Sequence, residues 1–259
     1  MTLDLKILNH DYFNAYKTQL NVDVEAAFLK LKMQQQSSDD FKFYIANSAV
    51  HSSNIEGNTV SFNTYLKSTE FKLHLKTKEI KEIEDLIAAY QFAKENDLTL
   101  HNTLKAHEIL TSSILIKKER GKIRKVKVGV RSNGHLIYLA IKPEFIKQEL
   151  RKLFAAVFIL LQAKLSVTEI FYYAAYIHLV FVNIHPFIDG NGRATRLMEK
   201  WFLAKMPGDH AWCITSEKNY WDNRPVYYKN LQIGINYYEV KYEKSIPFLL
   251  LLPDSLIKY

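Results

Sequence analysis

The 259-residue sequence predicts an all-α, mainly α-helical fold with one β-hairpin. Two observations carry this. Apolar residues recur at three- and four-residue spacing through most of the chain. In a single stretch, 123–140, the period changes to alternation around an Asn-Gly pair, the strongest short-range hairpin signal.

The elements follow in order. Residues 22–33 and 39–50 carry helical periodicity, and Gln34 to Ser38 reads as a short polar connector. Residues 78–96 form a long amphipathic helix with Ile80, Ile83, Leu86, Ile87 and Tyr90 facing inward, and 103–116 another. Then Ile123, Val126, Val128 and Val130 alternate with Arg124, Lys127 and Gly129, Asn133-Gly134 supplies the turn, and 135–139 returns as the second strand. Helix resumes after Pro143 and runs to 164. A further helix, 166–181, delivers His185, and 193–205 is helical up to the terminator Pro207-Gly208. No internal repeat and no low-complexity tract interrupts this order.

Composition sets outer limits. The length suits one large domain or two small ones, with ample apolar content for a core. One cysteine, Cys213, excludes an internal disulfide framework. The N-terminal residues lack the pattern of a signal peptide. The apolar runs 153–161 and 171–182 fall short of a membrane span, so no membrane partner and a cytoplasmic location are expected. The formal charge of +8 is read as a solvated surface, with lysines such as Lys67, Lys72, Lys76, Lys78 and Lys81 interleaved with glutamates, and no nucleic acid is expected. His107 and His178 read as structural histidines. The apolar tail from Phe248 can dock on the fold or on a neighbouring subunit, which leaves a homo-oligomer open.

The chemistry concentrates in His185-Pro-Phe-Ile-Asp-Gly-Asn-Gly-Arg-Ala-Thr-Arg196. Gly190 and Gly192 supply backbone that can take positive φ and approach a ligand closely. A glycine turn opening into a helix presents free N–H groups and the positive end of the helix dipole, a phosphate-binding arrangement. Arg193 and Arg196, three residues apart, share a helix face and can grip one anion. Asp189 is placed to hold Mg²⁺, which takes one or two carboxylates together with substrate phosphates. His185 is the natural base near neutral pH.

This stretch resembles, without departure, the signature of the Fic family, His-x-Phe-x-(Asp/Glu)-Gly-Asn-Gly-Arg-x-x-Arg. Gly121-Lys-Ile-Arg124 resembles the opening of that family's β-hairpin flap, and Ser52-x-x-x-Glu56-Gly57 its inhibitory-helix motif, (Ser/Thr)-x-x-x-Glu-(Gly/Asn). Read by itself, the second is a helix end capped by Gly57, with Ser52 and Glu56 on one face. The resemblance implies a Fic-type helical bundle. Residues 1–100 would hold N-terminal helices with the inhibitory motif at about 45–60. Residues 101–240 would form the core, with the flap at 123–140 and the catalytic loop at 185–196, and 241–259 a tail packed on it.

The implied activity is protein adenylyltransfer, with ATP as substrate and Mg²⁺ as cofactor, restrained by pairing of Glu56 with Arg196. His185 would be the base and Asp189 the metal ligand. Gly190, Asn191, Gly192, Arg193 and Arg196 would hold phosphates, and Phe187 would anchor the loop. The stretch from Asn223 to Leu231 resembles the helix bordering the nucleotide base, with Asn236 placed to contact the nucleoside. Val128, Gly129, Val130 and Arg131 of the flap would register the target protein by main-chain pairing. Two alternatives stay open: removal of AMP or transfer of another phosphate-containing group by the same residues, and a catalytically silent interaction module.

Overall fold

The computed structural model describes residues 5, 7–34, 38–70, 77–132 and 134–257. It is helical throughout except for one hairpin. The helices are α1 (Phe13–Thr18), α2 (Val24–Gln34), α3 (Ser38–Ile55), α4 (Phe62–Glu70), α5 (Lys78–Glu95) and α6 (Leu100–Leu110). After the strands β1 (Gly129–Ser132) and β2 (His135–Leu139) come α7 (Pro143–Gln162), α8 (Val167–Ile184), α9 (Asn191–Lys205), α10 (Ser216–Asp222), α11 (Arg224–Leu231), α12 (Ile246–Leu249) and α13 (Leu251–Asp254).

Local chemistry sets the boundaries. Thr77 and Thr99 cap α5 and α6, their side chains accepting from the N–H groups of Ile80 and Asn102. Ser166 and Glu169 form a reciprocal capping box at the start of α8. Pro143 opens α7 at a position where its missing N–H costs nothing. The connector expected at 34–38 is narrower, because α2 runs through Gln34 and α3 begins at Ser38; residues 35–37 lie outside the described residues, as do Lys72 and Lys76.

α8 is the central helix, packed against α1, α2, α7, α9 and α12. Contrary to the shorter apolar run read from the sequence, its 18 residues are long and apolar enough to cross a membrane by length and composition. Most of it is buried inside the fold, as expected of a core helix. α3 lies across α5, α9 and α10. A buried polar knot fastens it there: Lys200 of α9 donates to Ser48 Oγ (2.5 Å) and to the Ile214 carbonyl (2.6 Å), and pairs with Glu217. The Tyr90 hydroxyl donates to the same carboxylate. Charge and counter-charge are thus removed from water together, with hydrogen bonds covering both. α12 and α13 pack against α8, with Phe248, Leu249 and Leu252 buried.

The hairpin is shorter than 123–140. β1 and β2 pair antiparallel from Gly129 opposite Leu139 to Ser132 opposite His135, with a bulge between Val130 and Arg131. Asn133, in the turn, lies outside the described residues. The alternating stretch 123–128 does not extend β1, because its polar groups are taken up elsewhere. The Arg124 side chain donates to the carbonyls of His185 (2.8 Å), Val126 (2.6 Å) and Ile141 (2.6 Å), and its backbone N–H to Pro186 (2.9 Å). This segment is tied to the turn after α8.

Candidate active site

α8 ends at Ile184, and His185 follows in the left-handed region at φ 53°, ψ 60°. That conformation is uncommon and mildly strained for a residue with a side chain. It turns the chain sharply into Pro186 and leaves the imidazole at the mouth of the loop. Nδ1–H donates to the Val182 carbonyl (3.2 Å), so the lone pair of the neutral ring sits on Nε2. Burial lowers the His185 pKa to about 4, with nearby Arg124 adding to the effect against the Val182 hydrogen bond. The ring is therefore neutral at pH 7 and able to accept a proton.

The loop is held from behind by His107 of α6. Gly121 N–H donates to its Nδ1 (3.0 Å), which leaves Nε2–H to donate to the Asp189 carbonyl (2.9 Å). Its ring stacks on Phe187 at 3.5 Å between centroids. Phe187 is itself buried. Gly190 takes φ 78°, and a Cβ there would press on Thr111 and on His107 Nε2. Gly192 differs from expectation, since it is an ordinary helical residue with no positive φ. It is needed for close approach: a Cβ there would overlap the Glu56 carboxylate.

Asn191 also departs from the sequence reading. Its Oδ1 accepts from Phe187 N–H and its Nδ2 donates to the Phe187 carbonyl, both at 2.9 Å. The amide fastens the turn rather than facing the anion position. What faces outward is backbone. The N–H groups of Asn191, Gly192 and Arg193 precede the first intrahelical bond of α9, from Ala194 to Gly190. Asp189 is exposed, with Oδ1 accepting from Gly190 N–H (2.6 Å) and its other oxygen meeting no donor among the described residues. That suits a hard divalent cation sharing its shell with phosphates and water.

The two arginines meet carboxylates. Arg193 is buried and reaches Glu82 of α5 at 3.4 Å, while its Nε has no partner among the described residues. Arg196 is only 1% exposed and pairs with Glu56, itself 30% exposed, at 2.6 Å. Ser52 holds the same guanidinium through its hydroxyl (2.8 Å) and its carbonyl (3.0 Å), and the Tyr227 hydroxyl accepts at 3.2 Å. Burial alone would raise the Glu56 pKa; Arg196, with Arg193 and His185 adding, more than offsets this and leaves it below the usual carboxylate range.

Behind Arg196 runs a buried chain that the sequence did not suggest. Tyr227 O–H donates to His178 Nε2 (3.0 Å), whose Nδ1–H donates to Glu199 (2.7 Å), and the Tyr220 hydroxyl donates to the same carboxylate. Accepting from Arg196 obliges Tyr227 to donate onward, so the direction of each bond is set. His107 and Glu82 were absent from the sequence-derived site, and Tyr227, read only within the helix bordering the base, was not expected on Arg196. The only available signal for His107 was its place on the buried face of α6 with Thr103, Ala106 and Leu110.

The remaining expected residues surround this centre. Asn236 pairs with Leu139 beside the hairpin, and its side chain accepts from Tyr238 N–H. With Leu136, Leu139, Gln232 and Ile235 it lines a cavity of about 450 Å³. The Tyr228 hydroxyl donates to the Ile55 carbonyl (2.9 Å), pinning the end of α3. Of the flap residues, Gly129, Val130 and Arg131 lie in β1, and Val128 just precedes it, its carbonyl accepting from Ala140 N–H.

Residues 97–203 match the family model described as Fic/DOC family. Several solved structures share the fold. A Fic family protein from Desulfovibrio desulfuricans is 21% identical, with TM-score 0.75 over 95% of this chain and 71% of that one. A signaling protein containing a Fic domain, from Bacteroides thetaiotaomicron, is 18% identical, with TM-score 0.68 over 92% and 93%. Fic-1 from C. elegans is 19% identical, with TM-score 0.66 over 95% and 72%. No curated protein matches the chain in sequence. Fic domains generally transfer nucleotide or other phosphate-containing groups to proteins.

Proposed function

We propose that this chain, which carries a Fic/DOC family domain, is an autoinhibited protein adenylyltransferase. It would move AMP from ATP to a serine, threonine or tyrosine hydroxyl of a target protein. The observation that carries this reading is the position of the Glu56 carboxylate, which lies on the Gly192 backbone and on Arg196. A carboxylate there takes the place that a terminal phosphate would need.

In the released state the α9 N-terminus and Arg193 hold the phosphates, and Arg196 holds the terminal one. Asp189 would hold Mg²⁺, which when bound neutralises phosphate charge. His185 Nε2 takes the proton of the target hydroxyl. That oxygen bonds to the α-phosphorus, and the bond from the α-phosphorus to its bridging oxygen breaks, releasing pyrophosphate. A base so positioned is worth about 10²–10⁴ in rate, and donors fixed before the reaction supply much of the rest. The low pKa of His185 keeps the base unprotonated at neutral pH.

The test is incubation with α-labelled ATP and Mg²⁺, comparing wild type, Glu56→Gly and His185→Ala, with labelled UTP alongside. Label on protein is expected to rise with Glu56→Gly and to vanish when His185→Ala is added to it. Equal, weak labelling in all forms would overturn adenylyl transfer, and preferential labelling from UTP would overturn ATP as donor.

A further inference from the structure

The positive charge of this chain is not spread over its surface. Residues 115–135 hold eight of its 35 Lys and Arg residues and one of its 27 Asp and Glu residues, so this short segment carries +7 of the formal +8. The rest of the chain is nearly neutral. Three of the eight bond within the fold, Arg124 as described, Arg120 on the Leu115 carbonyl and Arg131 on the Gly134 carbonyl (3.0 Å). Arg131 and the five lysines Lys117, Lys118, Lys122, Lys125 and Lys127 are exposed, and none makes an ion pair among the described residues. Glu119 is the single acid within the segment, and Glu108 of α6, paired with Lys105, lies near Lys117 and Lys122.

The placement of this patch gives it meaning. Arg124 binds the His185 carbonyl and its N–H binds Pro186, so Lys125 and Lys127 follow directly from a backbone segment that touches the candidate base. They lead into β1. β2 is already bordered on its far side at Leu139, whose N–H donates to Ile235 (2.9 Å) and which bridges to Asn236. Among the described residues β1 has no strand on its outer side, so its main-chain groups form a free edge. Val126 and Leu136 are more than half exposed beside it. An edge of this kind accepts an extended peptide through its backbone, and the surrounding side chains choose the sequence.

We propose that the flap and the segment leading into it form a docking surface for an acidic, extended segment of a protein. The proposal rests on the transfer reading and supplies what main-chain pairing cannot, a preference for target sequence. Unpaired cations at the rim of a site steer and select oppositely charged partners more than they add to affinity. A nucleic acid fits less well. Residues 115–135 contain no Phe, Tyr or Trp, so the stacking platform that single strands use is missing, whereas the strand edge has a direct use for a peptide.

The test is fluorescence anisotropy on the full chain. The probes are three short serine-centred peptides that are Asp/Glu-rich, neutral or Lys/Arg-rich, and a duplex DNA oligonucleotide. The acidic peptide is expected to bind about tenfold more tightly than the neutral one at low salt, a preference that fades at high salt. Lys125→Glu/Lys127→Glu is expected to abolish or reverse that preference, and Lys117→Glu/Lys122→Glu, an independent pair from the same patch, to weaken it. Lys30→Glu/Lys67→Glu, on α2 and α4, changes the net charge equally and is expected to leave the preference in place. Equal binding of the three peptides, equal loss in the α2/α4 control, or tighter patch-dependent binding of DNA would each overturn the proposal. Labelling of the same peptides by the Glu56→Gly form separates it from the transfer reading. Charge-selective binding without label would sink transfer alone, and label without charge preference would sink the docking surface alone.

Discussion

Replacing Glu56 by glutamine keeps the shape of the side chain and removes its charge, and it is expected to move stability and nucleotide affinity in opposite directions. An exposed ion pair is worth about 0–1 kcal/mol, and breaking a fully buried one costs about 3–5 kcal/mol. This pair lies between, with Arg196 enclosed and Glu56 part-exposed. Arg196 would keep the Ser52 hydroxyl, the Ser52 carbonyl and the Tyr227 hydroxyl as acceptors. The expected loss of folding stability is therefore about 1–2 kcal/mol, or roughly 2–6 °C in the melting temperature of a chain this size. The same interaction opposes a phosphate arriving at Arg196. Its removal is expected to tighten Mg-ATP binding by about tenfold or somewhat more, at 1.4 kcal/mol per factor of ten. Isothermal calorimetry gives the affinity directly, and thermal unfolding with and without saturating Mg-ATP gives both signs in one experiment. Equal ATP affinity in wild type and Glu56→Gln would refute the reasoning, because the carboxylate would then not compete with phosphate.

Two further outcomes follow from groups behind the loop. An unfolded histidine takes up a proton below its ordinary pKa of 6.5, whereas His107 resists until about 4 because burial opposes its charge. Stability is thus expected to fall as pH drops through that interval, by up to ~3 kcal/mol from this group. His185 contributes in the same window. In urea titrations across pH, His107→Phe is expected to lose its share of this slope and to be destabilised by about 1–3 kcal/mol at pH 7, from the orphaned Gly121 N–H; an unchanged slope would count against burial as its source. Tyr227→Phe removes one hydroxyl and leaves both Arg196 and His178 short of a partner. It is expected to cost about 1–3 kcal/mol in urea unfolding and to weaken ATP binding in a Glu56→Gly background, and loss of stability with full ATP affinity would show that Tyr227 does not aim Arg196.

The parts legible in the sequence were those fixed by local rules. Periodicity located the amphipathic helices α5 and α7 because each buries one stripe, whereas α8 and α9 are buried on nearly every side. The motif spacing placed Ser52 and Glu56 on one face, and both indeed reach Arg196. What escaped was decided by distant partners. Nothing in residues 123–128 indicates that Arg124 will bind the turn after α8, and that choice is what cuts β1 short. The family resemblance implied a phosphate-holding role for Asn191, yet its amide is matched by both main-chain groups of Phe187. His107 and His178 were read as structural histidines, but their partners, and the place of Glu199 beside His178, were not read. Their partners lie 82, 49 and 21 positions away in sequence, beyond any local pattern.

These distant contacts explain why so small a change could switch the site. The loop is preformed: His107 and Phe187 hold it from below, Asn191 closes its turn, and Arg124 binds the carbonyl of the base. Arg196 is likewise fixed on three sides by groups other than the Glu56 carboxylate, with the Tyr227–His178–Glu199 chain behind it. Two of those three contacts come from Ser52, on α3, the helix that ends just before Glu56. The buried Lys200–Glu217 knot holds α3 in place through Ser48. Withdrawing the whole helix would break that knot and strip Arg196 of Ser52, whereas rotating the Glu56 side chain alone breaks one partly exposed pair. Under the proposed inhibition, rotation of the Glu56 side chain at the end of α3 is therefore the less costly route of release. On that reading only one carboxylate has to be drawn aside, and an anion taking its place would meet donors already in position.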